Sequence, residues 1–146
     1  LSLHDALPIC KEATLGLTEL NLGIIPGAGG TVRLPRLIGE AKAKEMIFMS
    51  RIVSGEEAER IGLVNAAVAP EELKAVATKW AEKLKTRSAV ALRAAKESIE
   101  NGIRDTDYVS AINREAEIWA SLFSSYDQKE GMAAFIEKRK PKFENR

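Results

Sequence analysis

One glycine-rich segment of this chain carries more structural information than any other. It is Leu15–Gly39, which reads LGLTELNLGIIPGAGGTVRLPRLIG. Its first half favours an extended strand, and the period of two then places Glu19 on the same face as Leu15 and Leu17. A carboxyl group on an apolar face loses hydration, which favours its protonated form and suits a general acid or base near neutral pH. The alternative is an exposed carboxylate where a strand meets a loop.

The glycine-rich turn inside this segment, Gly23–Thr31, matches neither of the common phosphate-binding motifs. No Lys-Ser or Lys-Thr pair follows the glycines, and Val32 stands where the last glycine of a dinucleotide-binding motif would be. Glycines allow a backbone to approach a ligand closely. A helix that starts at Gly30 or Thr31 would direct free N–H groups and the positive end of its dipole towards that ligand. The alternative is a tight turn that only packs a loop against a helix.

Helical signals dominate the sequence beyond this segment. Ser54–Glu57 reads SGEE, a capping box that predicts a helix start, and Leu63–Ala69 is short and β-prone enough for one strand. Four more helices are expected, beginning near Pro70, at Ser88, at Asp105 or Thr106, and at Asp127. Apolar residues at helical spacing predict the buried stripe of the third, which is Ile112, Ala116, Trp119, Leu122 and Phe123. The chain thus reads as the edge of an α/β layer followed by a run of helices.

Composition excludes several classes of protein. The chain has 146 residues, with 22 Lys and Arg against 21 Asp and Glu, so its net charge of +1 gives no reason to expect a nucleic-acid partner. No apolar run approaches the ~20 residues that a membrane helix needs. One Cys and one His exclude a Cys-based zinc site and any site with two imidazoles, so no metal site is expected. No signal peptide is recognisable, and a cytoplasmic location is the default expectation.

The single His and the single Cys both lie in the opening LSLHDALPIC, residues 1–10. If this leader is dispensable, the chain has neither a Ser-His-Asp triad nor a Cys-His pair. Acid–base chemistry must then come from Glu, Asp, Lys or Tyr, or from backbone N–H groups.

The C-terminal tail, Ile136–Arg146, is the most basic part of the chain. It holds five basic and two acidic residues, a net charge of +3. Such a tail could bind a phosphate-rich small ligand. The alternative is a solvated helix end whose cations are favoured by the helix dipole.

Together these pieces resemble the enoyl-CoA hydratase/isomerase family, the crotonases. The resemblance is carried by Leu15–Gly39, then by SGEEAERIGLVNAAVAPEEL, SAVALRAAKESI and YDQKEGMAAFIEKRKPKF. It covers residues 13–146 and corresponds to the C-terminal half of the family. The fold it implies is α/β and crotonase-like, a ClpP/crotonase-type spiral, here truncated and mostly helical with a few short strands.

The resemblance also implies a division of the chain. Residues 1–10 have no counterpart in the family and are expected to be a foreign leader. Residues 11–69 are expected to end the α/β core and to hold part of the acyl-CoA site. Residues 70–146 are expected to form a helical oligomerisation region.

By this resemblance, Glu19 matches the catalytic glutamate of the family, although Thr18 stands where the family usually has Pro. Its implied role is to deliver a proton to, or take one from, the carbon α to the thioester carbonyl. Ile25, Pro26 and Gly27 match substrate-binding residues beside the acyl chain. The implied CoA-binding residues of the C-terminal tail region are Phe135, Lys138 and Lys142.

The implied activity is addition of water across the 2,3 double bond of a 2-enoyl-CoA thioester, as in fatty-acid β-oxidation. CoA is part of the substrate, and no separate cofactor is implied. The family builds trimers and hexamers, so a homo-oligomer is expected. The oxyanion-hole N–H groups and the second glutamate of the family precede Glu19 and have no match, so the chain alone is expected to be inactive. An isomerase, another CoA-thioester reaction of the family, and a non-catalytic oligomerisation module remain as alternatives.

Overall fold

The computed structural model describes residues 8–146, which fall into two compact units that divide between Lys79 and Trp80. The four strands are β1 Pro8–Cys10, β2 Thr14–Gly16, β3 Ile52–Ser54 and β4 Ala66–Val68. The seven helices are α1 Gly30–Ile38, α2 Glu40–Phe48, α3 Gly55–Arg60, α4 Leu73–Lys85, α5 Ala89–Arg104, α6 Tyr108–Ser121 and α7 Tyr126–Ile136. The expected boundary at residues 69 and 70 therefore lies ten residues before the division that the structure shows.

The strands of the first unit form two small pairs. β1 runs parallel to β4 with Ile9 opposite Ala67, and β2 runs antiparallel to β3 with Leu15 opposite Val53. The participation of Pro8–Cys10 corrects part of the leader hypothesis, because these residues are built into the fold by pairing with β4. The rest of the predicted leader, residues 1–7, lies outside the described residues.

The core of the first unit lies where α1 and α2 pack against the β2–β3 pair and α3. Met46 and Ala58 are almost completely buried, and Val53 supplies the inward face of β3. The buried cluster consists of Leu34, Ile38, Ala43, Met46, Ile47, Val53, Ala58, Ile61 and Val64. These residues recur at helical spacing in α1 and α2, which is why short helices with modest intrinsic preference are stable here.

The strand expected over the first half of Leu15–Gly39 is much shorter than predicted. β2 ends at Gly16, and Glu19–Leu22 forms a 3₁₀ helix that Gly23 closes with a φ of 74°. Leu17 and Leu20 both pack against the buried cluster, a spacing of three that an extended chain cannot satisfy on one face. Tertiary packing therefore overrides the alternating pattern.

Two predicted helix starts are confirmed in the first half of the chain, one of them by a side-chain cap. α1 begins at Gly30, as expected, and ends before Gly39. Ser54 caps α3, where its Oγ accepts the N–H of Glu57 at 3.2 Å. Both signals are local hydrogen-bonding patterns that need no distant partner.

The helix starts of the second half are only partly as predicted. Ser88 caps α5, as expected, by accepting the N–H of Ala91. α6 is capped by Asp107 rather than by Asp105 or Thr106, and α7 by Ser125 rather than by Asp127. The helix expected near Pro70 begins at Leu73, since a turn closed by Glu72 precedes it.

The second unit, Trp80–Arg146, buries little of its own surface. Only Ser88, Asp127 and Ala134 are buried within it. The predicted buried stripe of α6 is wrong for this chain on its own, because Trp119 is 62% exposed and Phe123 47% exposed. Helical spacing predicts which residues share a face, but not what covers that face.

No helix within residues 8–146 has both the length and the apolar character needed to cross a membrane. Nor does this part of the chain bring together three or more His, Cys, Asp or Glu side chains that could hold a metal ion.

Candidate active site

Glu19 opens the 3₁₀ helix that follows β2, and three backbone hydrogen bonds hold this turn, two of them accepted by Glu19 itself. Its carbonyl oxygen accepts the N–H of Gly23 and, at 3.4 Å, that of Ile24. The N–H of Asn21 donates to the carbonyl of Thr18. This turn holds the Glu19 side chain at the junction of the strand pair and the glycine-rich turn, where it is half-buried.

The carboxylate of Glu19 has an unusual environment. Its Oε2 is buried, and it is the one buried side-chain oxygen or nitrogen in residues 8–146 for which the structure shows no hydrogen-bond partner. Buried polar atoms almost always have partners, because an unpaired one costs free energy on folding. An oxygen left in this condition has its lone pairs available for a water molecule or a substrate proton, which is what a general acid or base needs.

The glycine-rich turn lies directly against Leu17, two residues before Glu19. A Cβ at Gly30 would stand 2.8 Å from Cβ of Pro26 and 3.2 Å from Cδ1 of Leu17, so only glycine allows the start of α1 to approach so closely. Ala28 and Gly29 have φ values of 50° and 85°, a left-handed conformation. The predicted close packing of loop and helix is therefore present, and it places the N-terminus of α1 beside the Leu17–Glu19 segment.

A cavity of about 720 Å³ opens between this turn and the first two helices. Its walls are mainly aliphatic and include Ile24, Ile25 and Ile47. The full lining is Leu20, Gly23, Ile24, Ile25, Thr31, Pro35, Glu40, Ala43, Lys44, Ile47 and Phe48. Glu19 is not part of the lining, although its neighbour Leu20 is. An aliphatic cavity of this size fits an elongated apolar ligand.

The three predicted substrate-binding residues have different surroundings. Ile25 lines the cavity and is 71% exposed, so its side chain can contact a ligand. Pro26 is buried against the start of α1 and supports the turn. Gly27 is exposed, and a Cβ built there would meet no atom within 4 Å. Of the three, only Ile25 lines the cavity.

One ion pair stands at the rim of this cavity. Lys44 donates to Glu40 one helical turn earlier in α2, and this hydrogen bond and charge hold the pKa of Glu40 below its usual value. Both side chains are more than half exposed, so the pair contributes little to folding stability. For ligand binding the position of this pair matters more, because it places one positive and one negative charge beside otherwise aliphatic walls of the cavity.

The predicted CoA-binding residues belong to the second unit and line no part of the cavity described above. Phe135 is 82% exposed at the end of α7, and Lys138 follows with a φ of 54°. Lys142 is exposed, and its backbone N–H donates to Glu130 Oε1 at 2.7 Å. Contact between these residues and CoA stays a prediction.

The C-terminal tail is held to α7 by Glu130. Arg139 approaches this carboxylate with two nitrogens at 2.6 and 2.8 Å, a bidentate pair. The Arg139 hydrogen bonds, followed by that from the Lys142 N–H, lower the pKa of Glu130 from 4.5 to about 2. The two arginines of the tail are thus engaged within the fold, because Arg146 also pairs with Glu144 at 2.8 Å.

This low pKa makes a testable contribution to stability. Between pH 4.5 and 2, Glu130 is protonated in the unfolded chain but ionised in the folded one, so the unfolded state binds more protons and stability falls as the pH falls. We expect Glu130→Gln to lower the urea midpoint of the chain at pH 6, and the difference from the parent to shrink steadily from pH 5 to pH 3. Glu97→Gln, the same change on an exposed face of α5, is the control. A difference that stayed constant over this range would contradict the assignment.

Asp127 is the residue that sequence reasoning placed in the wrong role. It is 3% exposed and accepts hydrogen bonds from Ser88 Oγ at 2.5 Å and from the backbone N–H of Glu144 at 2.7 Å. Burial alone would raise the pKa of Asp127, but these hydrogen bonds outweigh it and lower the pKa. No local pattern could have revealed this, since the partners lie 39 residues before and 17 residues after it.

Comparison with solved structures defines the fold class. The enoyl-CoA hydratase of Bacillus anthracis shares 42% sequence identity with this chain and superposes with a TM-score of 0.92, over 97% of this chain and 55% of that one. An enoyl-CoA hydratase structure from Geobacillus kaustophilus gives the same TM-score at 40% identity. The crotonase-like fold expected from the sequence is therefore confirmed.

Sequence comparison then gives the family. The profile of the enoyl-CoA hydratase/isomerase family matches residues 3–146, and the chain belongs to this family. It is 44% identical to the crotonyl-CoA hydratase of Syntrophomonas wolfei over 133 residues, 91% of this chain and 51% of that protein. It is also 44% identical to the short-chain-enoyl-CoA hydratase of Clostridium acetobutylicum, over 93% of this chain and 52% of that protein. The chain spans about half the length of both relatives.

The family match also bears on the predicted leader. Its range begins at residue 3, so the hypothesis that residues 1–10 have no counterpart in the family is wrong for residues 3–10. The strand pairing of Pro8–Cys10 agrees with this correction.

Proposed function

We propose that this chain carries part of the active site of an enoyl-CoA hydratase, which adds water across the 2,3 double bond of a 2-enoyl-CoA thioester. Glu19 is the proposed catalytic carboxylate, and it moves the proton at the carbon α to the thioester carbonyl. The observation that carries the proposal is the buried Oε2 of Glu19 without a hydrogen-bond partner. A fold that leaves this one oxygen unpaired keeps it available for the reaction.

The surroundings of Glu19 support the rest of the assignment. The aliphatic cavity that begins at Leu20 and includes Ile25 suits the acyl chain of such a substrate. The lysines of the C-terminal tail suit the phosphates of CoA, since ammonium groups bind phosphate as point charges. Two relatives that are 44% identical to this chain over the aligned half of their length are named a crotonyl-CoA hydratase and a short-chain-enoyl-CoA hydratase, which favours hydration over the other reactions of the family.

The chemistry needs acid–base groups rather than a nucleophile. Water adds to the double bond while a proton is delivered to the adjacent carbon, and the developing negative charge on the thioester oxygen must be stabilised by hydrogen-bond donors. Glu19 can supply the proton transfer from this chain. We assign the oxyanion donors to the part of the enzyme that precedes Glu19, and we propose a homo-oligomer as its assembly.

A chimera tests this proposal. Residues 8–146 replace the matching segment of the Syntrophomonas wolfei crotonyl-CoA hydratase, whose own activity is the positive control. We expect the chimera to hydrate crotonyl-CoA, measured by the loss of the absorbance of the conjugated thioester. A chimera that folds and assembles like its host but shows no hydration would contradict the proposal. Conversion of a 3-enoyl-CoA without hydration would assign the chain to the isomerases instead.

A further inference from the structure

The C-terminal tail is fastened to α7 at two points one helical turn apart. Glu130 binds Arg139 and the N–H of Lys142, as described above. Asp127 binds the last residues, with Oδ1 accepting the N–H of Glu144 at 2.7 Å and that of Asn145 at 3.1 Å. Two carboxylates on the same face of one helix therefore fix an extended segment that has no strand or helix of its own.

The Asp127 attachment reaches a third element. Its Oδ2 accepts the hydroxyl proton of Ser88, the residue that caps α5. Asn145 completes the connection, because its Oδ1 accepts the N–H of Ala89 at 2.8 Å. The start of α5, the first turn of α7 and the end of the chain thus meet at one buried carboxylate.

Between the two attachments the tail packs with its apolar side inward. The ring of Phe143 lies over Gly131 of α7, where a Cβ would come within 3.5 Å of its Cε1. Pro141 and Phe143 form part of the wall of a second cavity, of about 560 Å³, together with Trp119 and Met132. Hydrophobic contact therefore supports the path of the tail that the hydrogen bonds define.

The charges of the tail divide into two groups. Arg139 and Arg146 are paired with carboxylates, whereas the side chains of Lys138, Lys140 and Lys142 are exposed. The attachment of Lys142 is through its backbone N–H, so the path of the tail sets the position of its side chain. The arginines are therefore paired within the fold, whereas the lysine side chains are exposed to solvent.

We propose that Asp127 is a positioning residue, which fixes the C-terminal tail so that Lys138 and Lys142 are held in place for the phosphates of CoA. This inference rests on the proposed function, because it takes CoA as the ligand of the tail. A segment that is ordered before binding does not lose conformational freedom on binding, so its ligand is bound more tightly. Ser88 and Asn145 act through Asp127 in the same attachment.

The test uses the full chain of 146 residues and two independent measurements. Isothermal titration with CoA gives the affinity, with pantetheine, which lacks the nucleotide phosphates, as the comparison ligand. Limited trypsin cleavage after Lys138, Arg139 and Lys142 gives the opening of the tail, since a protease cuts only segments that leave the folded structure. Asp127→Ala is the main variant. Asn145→Gly is the second, because it removes the side-chain contact to Ala89 and adopts the left-handed φ of 63° at this position without strain.

For both variants we expect cleavage in the tail to become about tenfold faster or more, and the Kd for CoA to rise about tenfold or more, by loss of preorganisation. Lys138→Ala with Lys142→Ala should raise the Kd equally while the rate of trypsin cleavage after Arg139 stays as in the parent. Asp105→Asn, the same kind of group outside the attachment, should change neither.

Each other outcome overturns a defined part of the proposal. A parent chain that binds CoA no better than pantetheine overturns CoA as the ligand of the tail, and with it this part of the proposed function. If the parent binds CoA but faster cleavage leaves the Kd unchanged, Asp127 is structural only and the proposed function stands. If neither variant opens the tail, Asp127 does not position it.

Discussion

Glu19→Gln in the chimera is expected to lower kcat for crotonyl-CoA hydration by about 10²–10⁴-fold, the usual contribution of a positioned acid–base group. Glutamine keeps the shape of the side chain but cannot transfer the proton. KM should change little, because the acyl chain and CoA are assigned to other residues. Steady-state kinetics over a range of crotonyl-CoA concentrations separates the two constants.

The same variant should leave the stability of the protein unchanged or slightly higher. Oε2 of Glu19 has no hydrogen-bond partner in the structure, so its replacement removes no hydrogen bond at that atom. Thermal melts of the parent and the variant therefore separate a catalytic effect from unfolding. Glu71→Gln, at an exposed turn before α4, is the matched control and should keep the parent kcat. A kcat for Glu19→Gln close to that of the control would return Glu19 to an ordinary loop carboxylate.

Gly55→Ala is expected to destabilise the chain by about 2–3 kcal/mol or more, at the upper end of overpacking effects. A Cβ at Gly55 would lie 2.3 Å from the carbonyl oxygen of Cys10 and 3.1 Å from Cα of Lys11, and both neighbours are backbone atoms that cannot rotate away. The N–H of Gly55 also donates to the carbonyl of Lys11 at 3.1 Å. The substitution must therefore separate the start of α3 from the end of β1.

Gly102→Ala is the matched control, because it adds the same methyl group where no atom lies within 4 Å. Gly102 lies inside α5, where alanine is the better helix former, so this variant should be stabilised by about 0.5–1 kcal/mol. Urea midpoints of the two variants and the parent give both values. Equal effects of the two substitutions would show that α3 and β1 can separate without cost.

Local hydrogen-bonding signals were sufficient for many helix boundaries. Ser54 and Ser88 are caps because a hydroxyl can accept an N–H three residues later, and no distant residue affects that choice. The start of α1 at Gly30 follows from the glycine-rich turn in the same way. The strand expected through Glu19 failed, because the packing of Leu17 and Leu20 on the core selects a 3₁₀ turn over the extended form. Alternation in a short apolar run cannot decide whether the run forms a strand or a 3₁₀ turn.

The sequence by itself determined the family and the crotonase-like fold, because both depend on motifs that are contiguous along the chain. Only the tertiary structure decided that Glu19 Oε2 has no hydrogen-bond partner, that Ile25 rather than Pro26 lines the cavity, and that Asp127 holds the C-terminal tail instead of capping a helix. The physical reason is the same in each case. Burial and hydrogen-bond partnership are properties of groups brought together from distant parts of the chain, and Asp127 meets Ser88 and Glu144 only after α5 and α7 have packed.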